Sequence, residues 1–172
     1  MIEANRNGLQ TVVIRPRFVW GRGDTTLLPR MAHMVRSGRW AWIGGGRQLT
    51  STTHVDNVVH GLLLGAERGV PGGVYFVTDG EPVVFRDFVS RLLATQGVTP
   101  PERSLPVGVA RAAAVAGETA WRVFPLPGRP PVTRFGVWVS ALETTIDITR
   151  ARTELGYEPV TTIDEGLEGL RS

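Results

Sequence analysis

Two hydrophobic spacings alternate along the chain. Short continuous apolar or β-branched runs at residues 11–14 (TVVI), 41–43 (AWI) and 74–77 (VYFV) predict strands, and the first has the pattern of a parallel strand covered on both faces. Between them the apolar positions recur three and four apart. Residues 55–68 place Val58, Val59, Leu62, Leu63 and Ala66 at helical spacing, and residues 85–96 do the same with Phe85, Phe88, Val89, Leu92 and Leu93.

Glycine, proline and capping residues set the boundaries. Residues 1–7 read as the last turns of a helix capped by Gly8, and Pro16 ends the first strand by removing a donor. Pro29 suits the first turn of a helix over residues 29–37, with Gly38 as its cap. Asp56 sits where the positive end of the 55–68 helix favours an acid. "PGG" and "DGEP" bracket the strand at 74–77, and "GVTPPERSLP" reads as a linker. An Ala- and Val-rich helix near residues 106–124 then leads to the stiff connector "PLPGRPP". "DITRARTELGYEP" predicts a helix stopped by Gly156 and Pro159, and Thr162 with Glu165 has capping-box spacing. The predicted order is β–α–β–α–β–α followed by a mostly helical tail, without an internal repeat.

Composition narrows the function classes. With 172 residues and 42% apolar content the chain is about one soluble domain long. The weakly polar stretch 105–124 is broken by Arg111, Glu118 and Arg122, so it is not a membrane span, and no signal peptide precedes the first helix. The absence of cysteine excludes disulfides and thiolate metal sites, with the cytoplasm as the default compartment. All 19 basic residues are arginine, scattered without aromatic interleaving, so the net charge of +3 does not indicate nucleic-acid binding. Lysine is absent, and with it any side-chain amine that could serve as a base or form a Schiff base.

Five stretches in a fixed order, "VVIRPRFVWGRGD", "LLPRM", "THVDNVVHGLLLGAE", "GGVYFVTDGEPV" and "LGYEPVTTIDEGL", resemble the C-terminal half of extended short-chain dehydrogenases/reductases. These are the NAD(P)-dependent epimerase, dehydratase and 3β-hydroxysteroid dehydrogenase relatives. The resemblance implies an α/β fold: the C-terminal part of a Rossmann-like parallel sheet plus a mostly helical substrate lobe. The expected division is an incomplete Rossmann-like domain over residues 1–78 and the lobe over 79–172, with strands interleaving. In that family the first half carries a glycine-rich pyrophosphate loop and a Tyr followed three residues later by a Lys. The resemblance makes residues 1–8 the end of the helix that would carry this pair. Here the only tyrosines are Tyr75 and Tyr157, and the cluster "IGGGR" at 43–47 is not followed by a helix that could aim its amides at a phosphate.

The same resemblance places the nicotinamide beside Pro16, Phe18 and Val19, and the substrate near Arg17, Arg22 and Asp24. His54 and Asp56 are more simply a strand end and a helix start than a metal pair, since no third ligand is spaced for one. His33 and His60 read as helix residues. Thr50 stands where sugar-nucleotide relatives carry the arginine that grips a diphosphate, which favours a less charged substrate. The tail resembles the 3β-hydroxysteroid dehydrogenase branch. A steroid-like pocket or a membrane-surface contact on the 106–124 helix is a minority reading.

The implied function is the substrate-lobe portion of an NAD(P)-dependent oxidoreductase acting on a secondary alcohol or ketone. The resemblance implies NAD or NADP in the complete enzyme and no tight dinucleotide binding by this chain. Three alternatives stay open: a non-catalytic module that pairs with a separate Rossmann half, a homo-oligomer, and a nucleotide-sugar epimerase or dehydratase fragment.

Overall fold

The computed structural model describes residues 9–124 and 133–171. The predicted helix end at 1–8 and the connector at 125–131 lie outside them. Strands β1 (Val13–Pro16) and β2 (Val19–Trp20) precede helix α1 (Leu27–Arg36), β3 (Trp42–Ile43), β4 (Leu49–Thr50) and β5 (Thr53–His54). Helix α2 (Val55–Arg68), β6 (Val74–Val77), β7 (Val83–Val84), α3 (Phe85–Ala94) and β8 (Ser104–Leu105) follow. The tail holds α4 (Val107–Val123), α5 (Arg134–Ala141), α6 (Thr149–Leu155) and α7 (Ile163–Gly169).

Two units make up the fold, and each takes in stretches from both sides of residue 78: Met1–Pro29, Thr50–Val83 and Thr145–Ser172 in one, Arg30–Leu49 and Val84–Thr144 in the other. In the first, β1 pairs in parallel with β6, from Val13 opposite Val74 to Pro16 opposite Val77. Proline is tolerated because its missing donor falls on the last pair of the ladder. β2 pairs in parallel with β5, Val19 opposite Thr53 and Trp20 opposite His54.

Helix α2 packs on the β1–β6 pair through a face other than the one its large apolar residues suggest. The buried stripe is Asn57, Gly61, Leu64 and Gly65. A Cβ at Gly61 would lie 2.9 Å from Val77 Cγ1, and one at Gly65 would lie 2.9 Å from Ile14 Cδ1, so the two glycines bring the helix backbone close to the sheet. Val59, Leu62 and Leu63 are consequently turned outward and are more than half exposed. β1 also departs from expectation. It has one partner strand among the described residues, and only Val13 and Ile14 are half-buried.

The core of this unit joins Leu64, Tyr75, Val77, Ile148, Ala151, Leu155 and Tyr157. Both tyrosines are fully buried and engaged. The Tyr75 hydroxyl donates to Glu154 Oε2 (2.7 Å) and accepts from the Val70 amide (3.2 Å), whereas that of Tyr157 donates to the Thr78 carbonyl (2.8 Å). The predicted stops are in place: Gly156 takes φ 68° after α6, and Thr162 and Glu165 form the capping box of α7.

In the second unit β3 pairs in parallel with β8, Trp42 opposite Ser104. Trp40, Trp42 and Phe85 meet edge-on, and Phe85, Phe88, Val89, Leu92 and Leu93 form the buried face of α3, as their spacing predicts. Ala110 and Ala114 of α4 pack with Val137 of α5. Gly44–Gly46 form a single tight turn, in which the Gly45 amide donates to Ser104 Oγ (2.9 Å).

Burial, with Asp79 adding to it, pushes the Tyr157 phenol well above the ordinary tyrosine value near 10. A raised folded-state value means that the stabilisation is complete below pH ~10 and is lost as the pH rises further. With neither lysine nor cysteine in the chain, tyrosine is the only side-chain type with an ordinary pKa in that alkaline range. Thermal melts from pH 8 to 11 are expected to show an alkaline fall that Tyr157→Phe largely removes, at a cost of about 1 kcal/mol near neutrality for the lost hydrogen bond.

Candidate functional site

The candidate site is the carboxyl end of β1 and the loop that leaves it. At Arg17 the main chain is clamped on both sides by one hydroxyl: its amide donates to Thr53 Oγ1 (3.0 Å), and Thr53 Oγ1 donates to its carbonyl (2.8 Å). Thr53 is fully buried, and its amide also donates to the Phe18 carbonyl (3.2 Å). Phe18 is the one non-glycine among the described residues with positive φ, at 44°. An L-residue in that region is strained by about 1–2 kcal/mol, and the Thr53 clamp supplies the bonds that hold it there.

The six residues predicted for this site divide by environment. Pro16 and Val19 are exposed, Val19 at 44%, and Phe18 is half-buried. Arg22 is exposed and its Nε donates to the Gly169 carbonyl (3.0 Å). The Asp24 carboxylate accepts from the amides of Thr26, Leu27 and Leu28, each at 2.8 Å, and so opens α1. Burial raises its pKa, but the bonds from Leu28, Thr26 and Leu27 outweigh that and hold it below the ordinary carboxylate value. Arg17 Nε is buried and has no hydrogen-bond partner among the described residues.

Sequence reasoning missed the residue on which the loop rests. Asp79, at the turn after β6, accepts on Oδ2 from Trp20 Nε1 (2.8 Å) and Thr52 Oγ1 (2.7 Å). Its Oδ1 accepts from the His54 amide (2.6 Å) and Asn57 Nδ2 (2.7 Å). Asn57, itself fully buried, extends the network: its Oδ1 accepts from the amides of Val160 and Thr161, and its Nδ2 donates to the Thr161 carbonyl. The available signal was an acid two residues after the end of an apolar strand, which "DGEP" disguises as ordinary turn chemistry.

His54 caps α2. Its Nδ1 accepts from the Asp56 amide (3.3 Å), and its ring packs edge-on against Trp20 at 4.8 Å. A cleft of about 300 Å³ beside it is lined by Arg22, His54, Asp56, Thr161 and Glu165 with Val55, Gly166 and Gly169, but no metal-binding group of acids and histidines forms among the described residues. Thr50 is buried, and its hydroxyl lies 3.5 Å from the Ser51 carbonyl.

Asp79→Ala would leave four donors without their shared acceptor. Since bonds to a charged group contribute about 1.5–3 kcal/mol each and are not additive, a loss of about 3–5 kcal/mol is expected in urea titrations followed by tryptophan fluorescence. Asp24→Ala is expected to cost about 1 kcal/mol in the same measurement, the usual price of a helix cap. Retention of wild-type stability by Asp79→Ala would show that the carboxylate does not organise the loop.

Residues 1–107 match the model of the 3-beta hydroxysteroid dehydrogenase/isomerase family. A 4-hydroxy-2-methyl-3-oxo-4-farnesyl-3,4-dihydroquinoline-1-oxide ketoreductase of Stigmatella aurantiaca is 47% identical over 171 residues, which cover 99% of this chain and 51% of the relative. A 2-alkyl-3-oxoalkanoate reductase of Stenotrophomonas maltophilia is 34% identical, with 100% of this chain and 54% of the relative covered. The chain thus spans about half the length of these curated relatives. Among solved structures, the Bordetella bronchiseptica enzyme WbmF in complex with NAD+ and UDP shares the fold, with TM-score 0.60 and 22% identity over 97% of this chain and 46% of that one.

Proposed function

This chain belongs to the 3-beta hydroxysteroid dehydrogenase/isomerase family, and we propose that it forms the substrate side of an NAD(P)-dependent oxidoreductase interconverting a ketone and a secondary alcohol on a largely apolar substrate. The observation that carries this reading is the end of β1, where a clamped, strained backbone presents the exposed Pro16 and Val19 beside the half-buried Arg17, whose Nε has no hydrogen-bond partner among the described residues. Functional sites are where such strain is commonly retained. The 3-oxo substrates named for the two relatives support a ketone as the reacting group.

The residues present fit one end of the dinucleotide and not the other. Pro16, Phe18 and Val19 suit the nicotinamide, with apolar surface for a ring face and irregular backbone for its carboxamide. The glycine turn at Gly44–Gly46 does not suit a pyrophosphate, because it opens no helix and the Gly45 amide is already bonded to Ser104. When bound, NAD(P)(H) supplies or accepts the hydride. This chain orients the ring, excludes water from it and positions the substrate with Arg17 and Arg22, while Asp24 holds the loop by starting α1. It has no lysine, and its two tyrosines lie in the core, so it offers no tyrosine–lysine pair to move the proton.

The buried, hydroxyl-bonded Thr50 disfavours the nucleotide-sugar alternative, because it cannot offer a diphosphate a bidentate cation. A second reading, an assembly module that pairs with a separate Rossmann half, draws on the flank of β1. There a groove of about 250 Å³ lined by Gln10, Val12, Ile14, Leu62, Gly65, Ala66 and Gly69 adjoins the outward residues of α2. Unpaired strand edges beside apolar surface recruit further strands.

Isothermal titration of the 172-residue chain with NADH and NADPH is expected to show no sub-micromolar binding, and the chain by itself is expected to show no ketone reduction; tight binding of either dinucleotide would overturn the assignment of the pyrophosphate site to sequence outside this chain. Size-exclusion chromatography with light scattering is expected to show self-association that Leu62→Glu with Leu63→Glu suppresses. A monomer with a cooperative melt would argue against the assembly reading.

A further inference from the structure

We propose that the outward face of α4, with the adjoining part of α5, seats the second unit on the surface of an anionic lipid bilayer. The proposal goes beyond the reaction assigned above and does not depend on it.

A surface helix usually turns its apolar stripe inward and its charges to water, and α4 does not. Its inner side packs small residues, Ala110 and Ala114, with Val137 and Ala141 of α5 and with Ile43. The opposite side carries no charge: the helical period places Val109, Ala112, Val115, Ala116, Thr119 and Val123 there, and all six are exposed. Val109, Val115 and Val123 are 54%, 50% and 64% exposed, and Phe124, just past the helix end, is 61% exposed. Trp138 of α5 adds a further exposed apolar surface. A helix that is apolar all round is normally enclosed, whereas this one is enclosed on one side only among the described residues. Contiguous apolar surface of this kind marks a contact with another molecule or with a membrane.

The charges around the face select the occupant. Arg111 and Arg122 are the exposed charged residues of α4 and, about three turns apart, fall on one flank of the apolar face. Arg134, also exposed, opens α5, and the one acid of α4, Glu118, is half-buried and accepts from the Arg134 amide (2.7 Å). The segments that make up this unit hold eleven arginines against four acids, Asp87, Glu102, Glu118 and Glu143, while those of the other unit hold eight against twelve. The small net charge of the chain thus conceals a strongly basic unit, the same one that carries the exposed apolar helix.

An apolar face flanked by arginines matches an anionic leaflet. The valines and Phe124 enter the boundary between headgroups and acyl chains, and the guanidiniums stay among the phosphates. A protein partner is a poorer match, because the centres of protein interfaces rest on large aromatic anchors and are depleted of alanine, and this face is alanine and valine along most of its length. Nucleic acid would meet the arginines and leave the apolar face uncovered. No described helix is long and apolar enough to cross a membrane, so the contact is peripheral.

The test is cosedimentation of the 172-residue chain with vesicles of phosphatidylcholine, and with vesicles in which a quarter of it is replaced by phosphatidylglycerol, at low and high salt. Binding to the anionic vesicles is expected to be at least tenfold tighter than to the neutral ones and to weaken with salt. Val115→Glu with Val123→Glu should lower it at least tenfold while leaving the thermal melt unchanged, since both side chains are exposed. Arg111→Gln with Arg122→Gln should lower binding to the anionic vesicles about tenfold and leave the neutral ones unaffected. Leu62→Glu with Leu63→Glu, on the other unit, should bind as the wild type does, which separates this face from general adhesion of exposed apolar residues.

No binding to either vesicle, equal binding to both, or binding that the two glutamates on α4 leave unchanged would each overturn the proposal. An equal loss on Leu62→Glu with Leu63→Glu would do the same. If the wild type ignores vesicles and the α4 glutamates abolish self-association in size-exclusion chromatography, the face is an interface between copies of the chain and the membrane assignment falls. Should the glutamate pair fail to fold, the arginine pair read against the neutral vesicles decides.

Discussion

The carboxylate of Asp79 is the interaction on which the rest of the site depends. Two oxygens with about four acceptor positions meet four donors, drawn from Trp20, Thr52, His54 and Asn57. Three stretches that are distant in sequence are thereby held at one point: the end of β2, the run from Thr52 through β5 into the first turn of α2, and the turn after β6 that carries Asp79 itself. Asn57 then ties this point to residues 160 and 161 in the tail. A neutral acceptor has too few lone pairs to replace it, and an apolar residue would leave the donors buried and unpaired.

With that knot in place, the loop after β1 can hold a conformation that it would not adopt alone. β2 is only two residues long, too short to persist without the side-chain bond from Trp20 and the pairing of Val19 with Thr53. Thr53 uses one hydroxyl to bond Arg17 on both sides, which keeps Phe18 at positive φ. The strained backbone and Arg17, whose Nε has no partner among the described residues, thus sit on a rigid support, the arrangement that a binding site requires if its geometry is to survive without its ligand.

The organisation of the tyrosines accounts for the division of labour proposed for this chain. Tyr75 and Tyr157 stitch α6 and the residues after it to the β6 region, and Tyr157 is buried among aliphatic side chains that disfavour its ionisation. Residues committed in this way stabilise the unit and cannot exchange protons with a substrate. The absence of lysine removes the usual means of lowering a phenol's pKa, which agrees with the proposal that this chain supplies the walls of the site and not its proton transfer.

Much of the fold was legible locally, because helix caps and periodic faces act within a few residues. The 55–68 helix, the strand at 74–77, the buried face of α3, the Gly156 stop and the Thr162–Glu165 box all follow from spacing and capping chemistry, whereas the expectation of a Rossmann-like parallel sheet came from the family resemblance. The two-residue strands β2, β4, β5, β7 and β8 carry no period to detect, and which face of α2 meets the sheet depended on glycines whose value lies in the close approach they permit. Likewise the sequence marks Asp24 and Arg17 only as charged loop residues. That Asp24 starts a helix through the amides that follow it, while Arg17 has its main chain clamped by the remote Thr53 and its Nε buried without a partner among the described residues, was decided by the folded backbone, which sets what arrives within hydrogen-bonding distance.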